Sequence, residues 1–139
     1  MKKILIVEDE NFISELYCRA LKKAGYEVTV MMSGEDGMTA ALTDNFDLIL
    51  LDLLVPGLSG IEALHKLRGE GVKALHGKIV ITTNMDQDEE NRADVEKLAD
   101  GYLIKAEITP KQLVNIIDQM FAQIDAGTKP VIQQPAPDI

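Results

Sequence analysis

The apolar run at residues 48–51 (LILL) constrains the fold more than any other segment of this 139-residue chain. A strand that is apolar on both faces must be covered on both faces, which is typical of a parallel sheet between two helical layers. Asp52 follows the run directly, and a loop at residues 53–60 comes next. A charge at the end of a buried strand is held rigidly but stays open to ligands, so Asp52 is the first candidate reactive residue.

Short apolar runs of strand length alternate with segments of helical periodicity along the chain. Strands are predicted at 4–7, 26–30, 47–51, 79–81 and 102–104. Helices are predicted at 10–24, after Ser33, after Ser59, at 86–99 and after Thr109, where Pro110 and Gln112 add further helix-start signals. Five strands alternating with five helices through short connections predict right-handed crossovers and an α/β fold with a doubly wound, five-stranded parallel sheet.

Composition limits the partners and the compartment of the chain. The net charge of -9 would repel a polyanion, so no direct nucleic-acid binding is expected. No apolar segment is long enough for a membrane span, and the lone Cys18 cannot form an internal disulfide, so a cytoplasmic location is expected. Residues 1–125 are predicted to form one domain, and residues 126–139, with three prolines and two glutamines, a flexible tail.

Chemically active side chains follow several of the predicted strands, at one edge of the parallel sheet. They are Glu8, Asp9, Asp52, Thr82, Thr83 and Lys105. Three clustered carboxylates repel one another unless a hard cation such as Mg²⁺ joins them. Asp52 could then attack a phosphoryl group, while the hydroxyl of Thr83 and the ammonium of Lys105 pair with phosphoryl oxygens.

Over roughly residues 2–125 the chain resembles the receiver domains of bacterial two-component response regulators. The matching stretches are 3–10, 47–52 with the loop 56–60, 79–83 and 101–105. The resemblance implies a flavodoxin-like sheet with strand order 2-1-3-4-5. It also implies that Asp52 is the phosphoacceptor and that Lys105 contacts the phosphoryl group.

The resemblance further implies a Mg²⁺ site made by Glu8, Asp9, Asp52 and the backbone carbonyl of Leu54. Two threonines compete for the family's hydroxyl position. Thr83 is preferred because it lies 105 − 83 = 22 residues before Lys105, the usual separation in the family.

Two positions depart from the family pattern, and one matches its switch. By resemblance, Asn84 would line the phosphoryl pocket at a position where a small residue is commoner in the family. Ala106 replaces a family proline whose preceding peptide is frequently cis. Tyr102 matches an aromatic residue that changes rotamer on activation. Phosphorylation would draw Thr83 inward, Tyr102 would fill the vacated space, and the surface of helix 86–99, strand 102–104 and the last helix would change shape.

The favoured interpretation is a stand-alone receiver, which is a phosphorylation-controlled signalling switch rather than an enzyme. It would take its phosphoryl group from a sensor histidine kinase or a phosphotransfer protein and act on an unknown downstream protein. Phosphorylation would also allow two copies of the chain to form a homodimer. Because the apolar Leu54 and Met85 flank the site, its self-catalysed dephosphorylation is expected to be slow.

Three alternatives stay open from the sequence. An aspartate-nucleophile phosphatase has a related fold, although Leu54 stands where such enzymes carry their general acid. A flavin-binding electron carrier would need a phosphate loop after the first strand, where this chain has Glu8 and Asp9. The chain could also be a phosphorylation-dependent regulatory domain of a longer, truncated protein.

Overall fold

A computed structural model describes residues 1–53, 60–68, 77–83 and 97–127. Its strands are β1 (Lys3–Val7), β2 (Glu27–Met31), β3 (Leu48–Asp52), β4 (Lys78–Thr83) and β5 (Gly101–Ile104). The helices within the described ranges are α1 (Asn11–Lys23), α2 (Gly34–Thr43), α3 (Gly60–Arg68) and α4 (Pro110–Asp125), and a 3-10 turn spans Lys105–Glu107.

The five strands form one parallel sheet in the order β2-β1-β3-β4-β5. This arrangement confirms the predicted fold class and strand order. Four of the five predicted helices lie within the described residues. Of the fifth, at 86–99, only Lys97 and Leu98 are described as helical, and residues 86–96 lie outside the described part of the chain.

The central position of β3 explains its sequence, since all five of its residues are buried. Neighbouring strands pair on both of its edges, and helices cover both of its faces. Odd-numbered residues such as Ile49 point towards α2 and α3, where they pack with Leu64. Even-numbered residues such as Leu50 point towards α1 and α4, where they pack with Leu21 and Leu113. We call these sides of the sheet the α2–α3 face and the α1–α4 face.

The residues predicted to start and end helices do so in the structure. Thr109 and Gln112 form a reciprocal capping box at the start of α4, with Pro110 in the first turn. The side chain of Ser33 accepts a hydrogen bond from the backbone N–H of Asp36 at the start of α2. Gly25 follows α1 with a φ of +101°, a left-handed conformation that favours glycine at this position.

The apolar character of the helices and the expected tail concern the surroundings and the end of the domain. Among the described residues, none of the helices combines the length and the apolar character needed to cross a bilayer. Most of the expected tail, residues 128–139, lies outside the described part of the chain. The division into a domain and a tail therefore stays a prediction.

Helix α2 approaches the sheet closely at Gly37. A Cβ atom at this glycine would lie 2.6 Å from Cγ2 and 3.2 Å from Cβ of Val7. Val7 is buried in β1, and a β-branched side chain has little freedom to turn away. The missing side chain therefore sets the distance between α2 and the sheet next to Glu8.

We predict that Gly37→Ala destabilises the fold by about 1–3 kcal/mol because the added methyl group overpacks the contact with Val7. The sign of this change in the free energy of unfolding is informative, because a Gly-to-Ala substitution at an open helix position would stabilise the protein by about 1 kcal/mol. Urea denaturation followed by circular dichroism measures the difference. The control is Thr39→Ala on the exposed side of the same helix, and a Gly37→Ala variant as stable as that control would contradict the packing argument.

Candidate functional site

A buried ammonium group lies at the carboxyl edge of the sheet. The Nζ atom of Lys105 lies 2.7 Å from Oε2 of Glu8 and 3.1 Å from Oδ2 of Asp52. The exposed fractions of Glu8, Asp52 and Lys105 are only 1%, 3% and 6%. Buried charges of this kind persist only when each has a partner, so the three side chains depend on one another.

Each member of this cluster is placed by the end of a different strand. Glu8 follows β1, where its N–H donates to the carbonyl of Met31 at 3.0 Å. Its Oε1 atom accepts a hydrogen bond from the N–H of Glu10 at 3.2 Å, which orients the carboxylate. Asp52 is the last residue of β3, and Lys105 directly follows β5. Because the strands are parallel, all three side chains reach the same edge.

The acids also form a group that could hold a cation. Glu8, Asp9 and Asp52 each offer a carboxylate oxygen, and these three oxygens lie within 4.8 Å of one another. Asp9 is exposed, so the group is open to solvent on one side. Oxygen ligands that leave room for water suit Mg²⁺. The structure thus brings the predicted acids together, whereas metal binding itself stays a prediction.

The two buried charges shift each other's protonation. Burial raises the pKa of Glu8 to about 7; the hydrogen bond from Lys105 opposes this rise and the negative charge of Asp52 adds to it. Burial by itself would lower the pKa of Lys105. The hydrogen bond to Glu8 and the charge of Asp52 outweigh burial and raise that pKa, so the ammonium stays charged.

The two candidate threonines point to opposite faces of the sheet. Both are buried, each with an exposed fraction of 3%. Thr82 is the register partner of Asp52, and side chains of register partners in a parallel pair share a face. Thr82 therefore lies on the α1–α4 face and Thr83 on the α2–α3 face. The preference for Thr83 as the phosphoryl-binding hydroxyl stays a prediction.

The predicted switch residue Tyr102 lies on the same face as Thr83. It is half-buried, is in register with Ile81 and packs against the apolar cluster of the α2–α3 face. This placement puts Thr83 and Tyr102 on adjacent strands of one face, as the proposed coupling requires. A rotamer change at Tyr102 stays a prediction.

Three further positions complete the sequence-predicted site. Leu54 and Asn84 lie outside the described residues. The backbone of Ala106 belongs to the turn Lys105–Glu107, and no cis peptide bond occurs among the described residues.

Sequence reasoning missed Tyr17, a residue of α1 near this cluster. It has an exposed fraction of 5% and packs on the α1–α4 face. Burial raises its pKa to about 12, and the charges of Lys105 and Glu8 act on the phenol with opposite signs. In the sequence Tyr17 belongs to the helical stripe of core residues, and only the packing of α1 on the sheet brings its phenol near these charges.

Comparison with known proteins identifies relatives of the chain. The model of the response regulator receiver domain matches residues 4–118. Response regulator ArlR of Staphylococcus haemolyticus is 32% identical over 139 residues, which is 100% of this chain and 57% of that protein. The alkaline phosphatase synthesis transcriptional regulatory protein PhoP of Bacillus subtilis is 36% identical over 104 residues, 75% of this chain and 42% of that protein. The chain therefore spans about half the length of the curated relatives it matches.

The fold also resembles solved structures. The crystal structure of a CheY-like response regulator receiver domain protein from Methanospirillum hungatei superimposes with a TM-score of 0.77 at 27% identity. The match covers 91% of this chain and 98% of that one. The likeness therefore extends over the whole of that smaller protein.

We predict that Glu8→Gln reduces the pH dependence of stability of the metal-free protein. The pKa of Glu8 in the folded state is raised from 4.5 to about 7. The contribution of Glu8 to the free energy of unfolding is therefore fully present below pH 4.5 and is lost as the pH rises through 7. The free energy of unfolding of the wild type should therefore fall relative to that of Glu8→Gln between pH 5 and 8, by about 1–3 kcal/mol.

Urea denaturation at several pH values in the presence of a chelator measures this difference. The control is Glu15→Gln on the exposed surface of α1, which should keep the pH dependence of the wild type. Parallel pH profiles for the wild type and Glu8→Gln would show that Glu8 is not the titrating group.

Proposed function

The chain belongs to the response regulator receiver domain family, and on that premise we propose that it is a switch phosphorylated on Asp52 by a sensor histidine kinase or a phosphotransfer protein. Receiver domains are the signalling modules of two-component systems. The observation that carries the proposal is the joint placement of an acidic group and a buried ammonium at one sheet edge. Asp52 belongs to both, since its carboxylate lies within 4.8 Å of the other acids and 3.1 Å from Lys105.

In this proposal Glu8, Asp9, Asp52 and the carbonyl of Leu54 hold Mg²⁺. The bound ion supplies positive charge that offsets the repulsion between the carboxylates and a phosphoryl group. Support comes from the donor set, which consists of carboxylate oxygens with one side open to water and substrate.

Asp52 acts as the nucleophile. One of its carboxylate oxygens attacks the phosphorus atom while the bond from phosphorus to the donor nitrogen breaks, and an acyl phosphate forms. Such transfers depend on positioned charge around the phosphoryl oxygens more than on covalent assistance. Lys105 can follow the added group because its ammonium already lies 3.1 Å from Asp52, and Thr83 would donate its hydroxyl to another phosphoryl oxygen.

Thr83 and Tyr102, both on the α2–α3 face, would respond first to phosphorylation. Thr83 would move towards the phosphoryl group, Tyr102 would take the vacated space, and the surface of the helix predicted at 86–99, β5 and α4 would change shape. Support comes from the shared face of Thr83 and Tyr102 on neighbouring strands. A downstream protein, or a second copy of the chain, would bind this surface.

The output of the whole protein is a separate proposal, because the chain spans about half the length of its curated relatives. PhoP is named as a transcriptional regulatory protein, so a regulatory domain within a longer protein is as compatible with the comparisons as a stand-alone receiver. For these 139 residues, the charge of -9 supports protein partners rather than direct nucleic-acid contact. We propose the cytoplasm as the compartment, since a kinase that spans a membrane phosphorylates its regulators there.

We predict that incubation with acetyl phosphate and Mg²⁺ adds one phosphoryl group to the chain. Intact-protein mass spectrometry detects the added group, and Asp52→Asn should abolish it because an amide oxygen is a poor nucleophile. The matched control is Asp47→Asn, which changes the acid directly before β3, far from the carboxyl edge, and should be labelled like the wild type. Full labelling of Asp52→Asn would overturn the assignment.

We also predict slow self-catalysed dephosphorylation, because the apolar Leu54 and Met85 offer no polar group to orient an attacking water. Both residues lie outside the described part of the chain, so this expectation rests on the sequence. A time course of phosphate release after removal of the donor measures the rate, and Leu54→Asn should increase it. Loss of the phosphoryl group from the wild type within seconds would contradict the prediction.

A further inference from the structure

The side chain of Lys105 crosses a neighbouring strand to reach its partners. In the sheet, β4 lies between β5 and β3, and β1 lies beyond β3. The ammonium that follows β5 nevertheless contacts Asp52 at the end of β3 and Glu8 at the end of β1. The alkyl chain of Lys105 must therefore pass the carboxyl end of β4.

Thr82 occupies that crossing point on β4. It is in register with Asp52 on one side and with Leu103 on the other. Lys105 directly follows β5, and its ammonium contacts Asp52, the register partner of Thr82, so its side chain reaches the same face. Thr82 is the last residue of β4 on this face, because β4 ends at Thr83, which points to the opposite face.

Besides Asp52, the neighbours of Thr82 within the described part of this face include apolar residues. Its neighbours on this face of the sheet include Val80 and Leu103, which have exposed fractions of 2% and 0%. A buried hydroxyl is unfavourable unless it makes a hydrogen bond, and valine would fill the same volume without that penalty. Thr82 therefore places a hydroxyl, a neutral hydrogen-bond acceptor, at a position where a methyl group would pack equally well.

A cation in the acidic group would leave Lys105 in need of such an acceptor. Among the described residues, the ammonium donates hydrogen bonds to two carboxylates, those of Glu8 and Asp52. A divalent ion among these oxygens repels the ammonium and competes with it for their lone pairs. An ammonium has three donors and no acceptor, so a further oxygen nearby would satisfy a donor that the ion displaces. A hydroxyl serves without adding negative charge.

We propose that Thr82 is a positioning residue for Lys105, whose ammonium donates a hydrogen bond to the Thr82 hydroxyl when Mg²⁺ occupies the acidic group. The inference rests on the metal site of the proposed function and deepens it. Thr82 thereby keeps Lys105 beside Asp52, ready to contact a phosphoryl oxygen, and lowers the free energy of the metal-bound state.

A double-mutant cycle on Mg²⁺ affinity tests this role without any phosphoryl donor. Isothermal titration calorimetry gives the dissociation constants of the wild type, Thr82→Val, Lys105→Met and the double variant. Thr82→Val should weaken Mg²⁺ binding about tenfold, the effect of losing one hydrogen bond to a charged group. In the Lys105→Met background the same substitution should have no effect, and Thr82→Ser should restore the wild-type affinity.

The matched control is Thr83→Val, which removes an equally buried hydroxyl from the next residue on the other face and should show no coupling to Lys105 in this titration. Thermal denaturation verifies that each variant is folded. If Thr82→Val does not fold, Thr82→Ala takes its place in the cycle.

The outcomes separate this inference from the proposed function. Equal weakening in both Lys105 backgrounds, or no weakening at all, overturns the positioning role. If Asp52 is still labelled by acetyl phosphate in that case, the proposed function stands and only the role of Thr82 is wrong. A wild type that binds no Mg²⁺ overturns the positioning role and the metal site together.

Discussion

The structure of the site depends on one buried ammonium. Lys105 joins the ends of β1 and β3 from the end of β5, through hydrogen bonds of 2.7 Å to Glu8 and 3.1 Å to Asp52. Removing one partner from such a buried group generally destabilises a protein by about 3–5 kcal/mol. The ammonium balances only part of the charge, because Asp9 brings a third carboxylate to the same edge. The excess of negative charge gives the site its expected affinity for a cation.

The alternation of side chains along β4 divides its two buried threonines between the two faces of the sheet. Thr82 lies on the α1–α4 face with the register partner Asp52, whereas Thr83 lies on the α2–α3 face with Tyr102. Two successive threonines therefore place one hydroxyl on each side of the sheet. In the proposed mechanism, Thr82 binds the ammonium of Lys105 when the metal is present, and Thr83 binds the phosphoryl group. Because the two threonines are consecutive residues of β4, both events would act on the same stretch of backbone.

The sheet was predictable because its sequence signals are strong. A strand that is apolar on both faces, acids directly after it, and the capping box of Thr109 and Gln112 each have few structural interpretations. The convergence of Glu8, Asp52 and Lys105 followed from the parallel direction of the strands, because parallel strands bring their carboxyl ends to one edge.

Finer features of the site were not predictable, because they depend on register and side-chain reach. Spacing alone could not show that Thr82, rather than Thr83, shares a face with Asp52. Nor could it show that a long lysine side chain crosses β4 to pair with Glu8. The contact of Gly37 with Val7 is likewise a property of helix placement, since a helical glycine carries no sequence signal for the distance to its neighbour.

The central claim is that the acids, Asp52 and Lys105 form a single phosphoryl-accepting centre. A crystal structure of the protein with Mg²⁺ and beryllofluoride, which mimics a phosphoryl group on a carboxylate, tests it most directly. We expect the beryllium on a carboxylate oxygen of Asp52, the ion among Glu8, Asp9 and Asp52, and the ammonium of Lys105 moved from Glu8 to a fluorine atom. An unmodified Asp52 with Lys105 still bridging Glu8 and Asp52 at saturating beryllofluoride would contradict it.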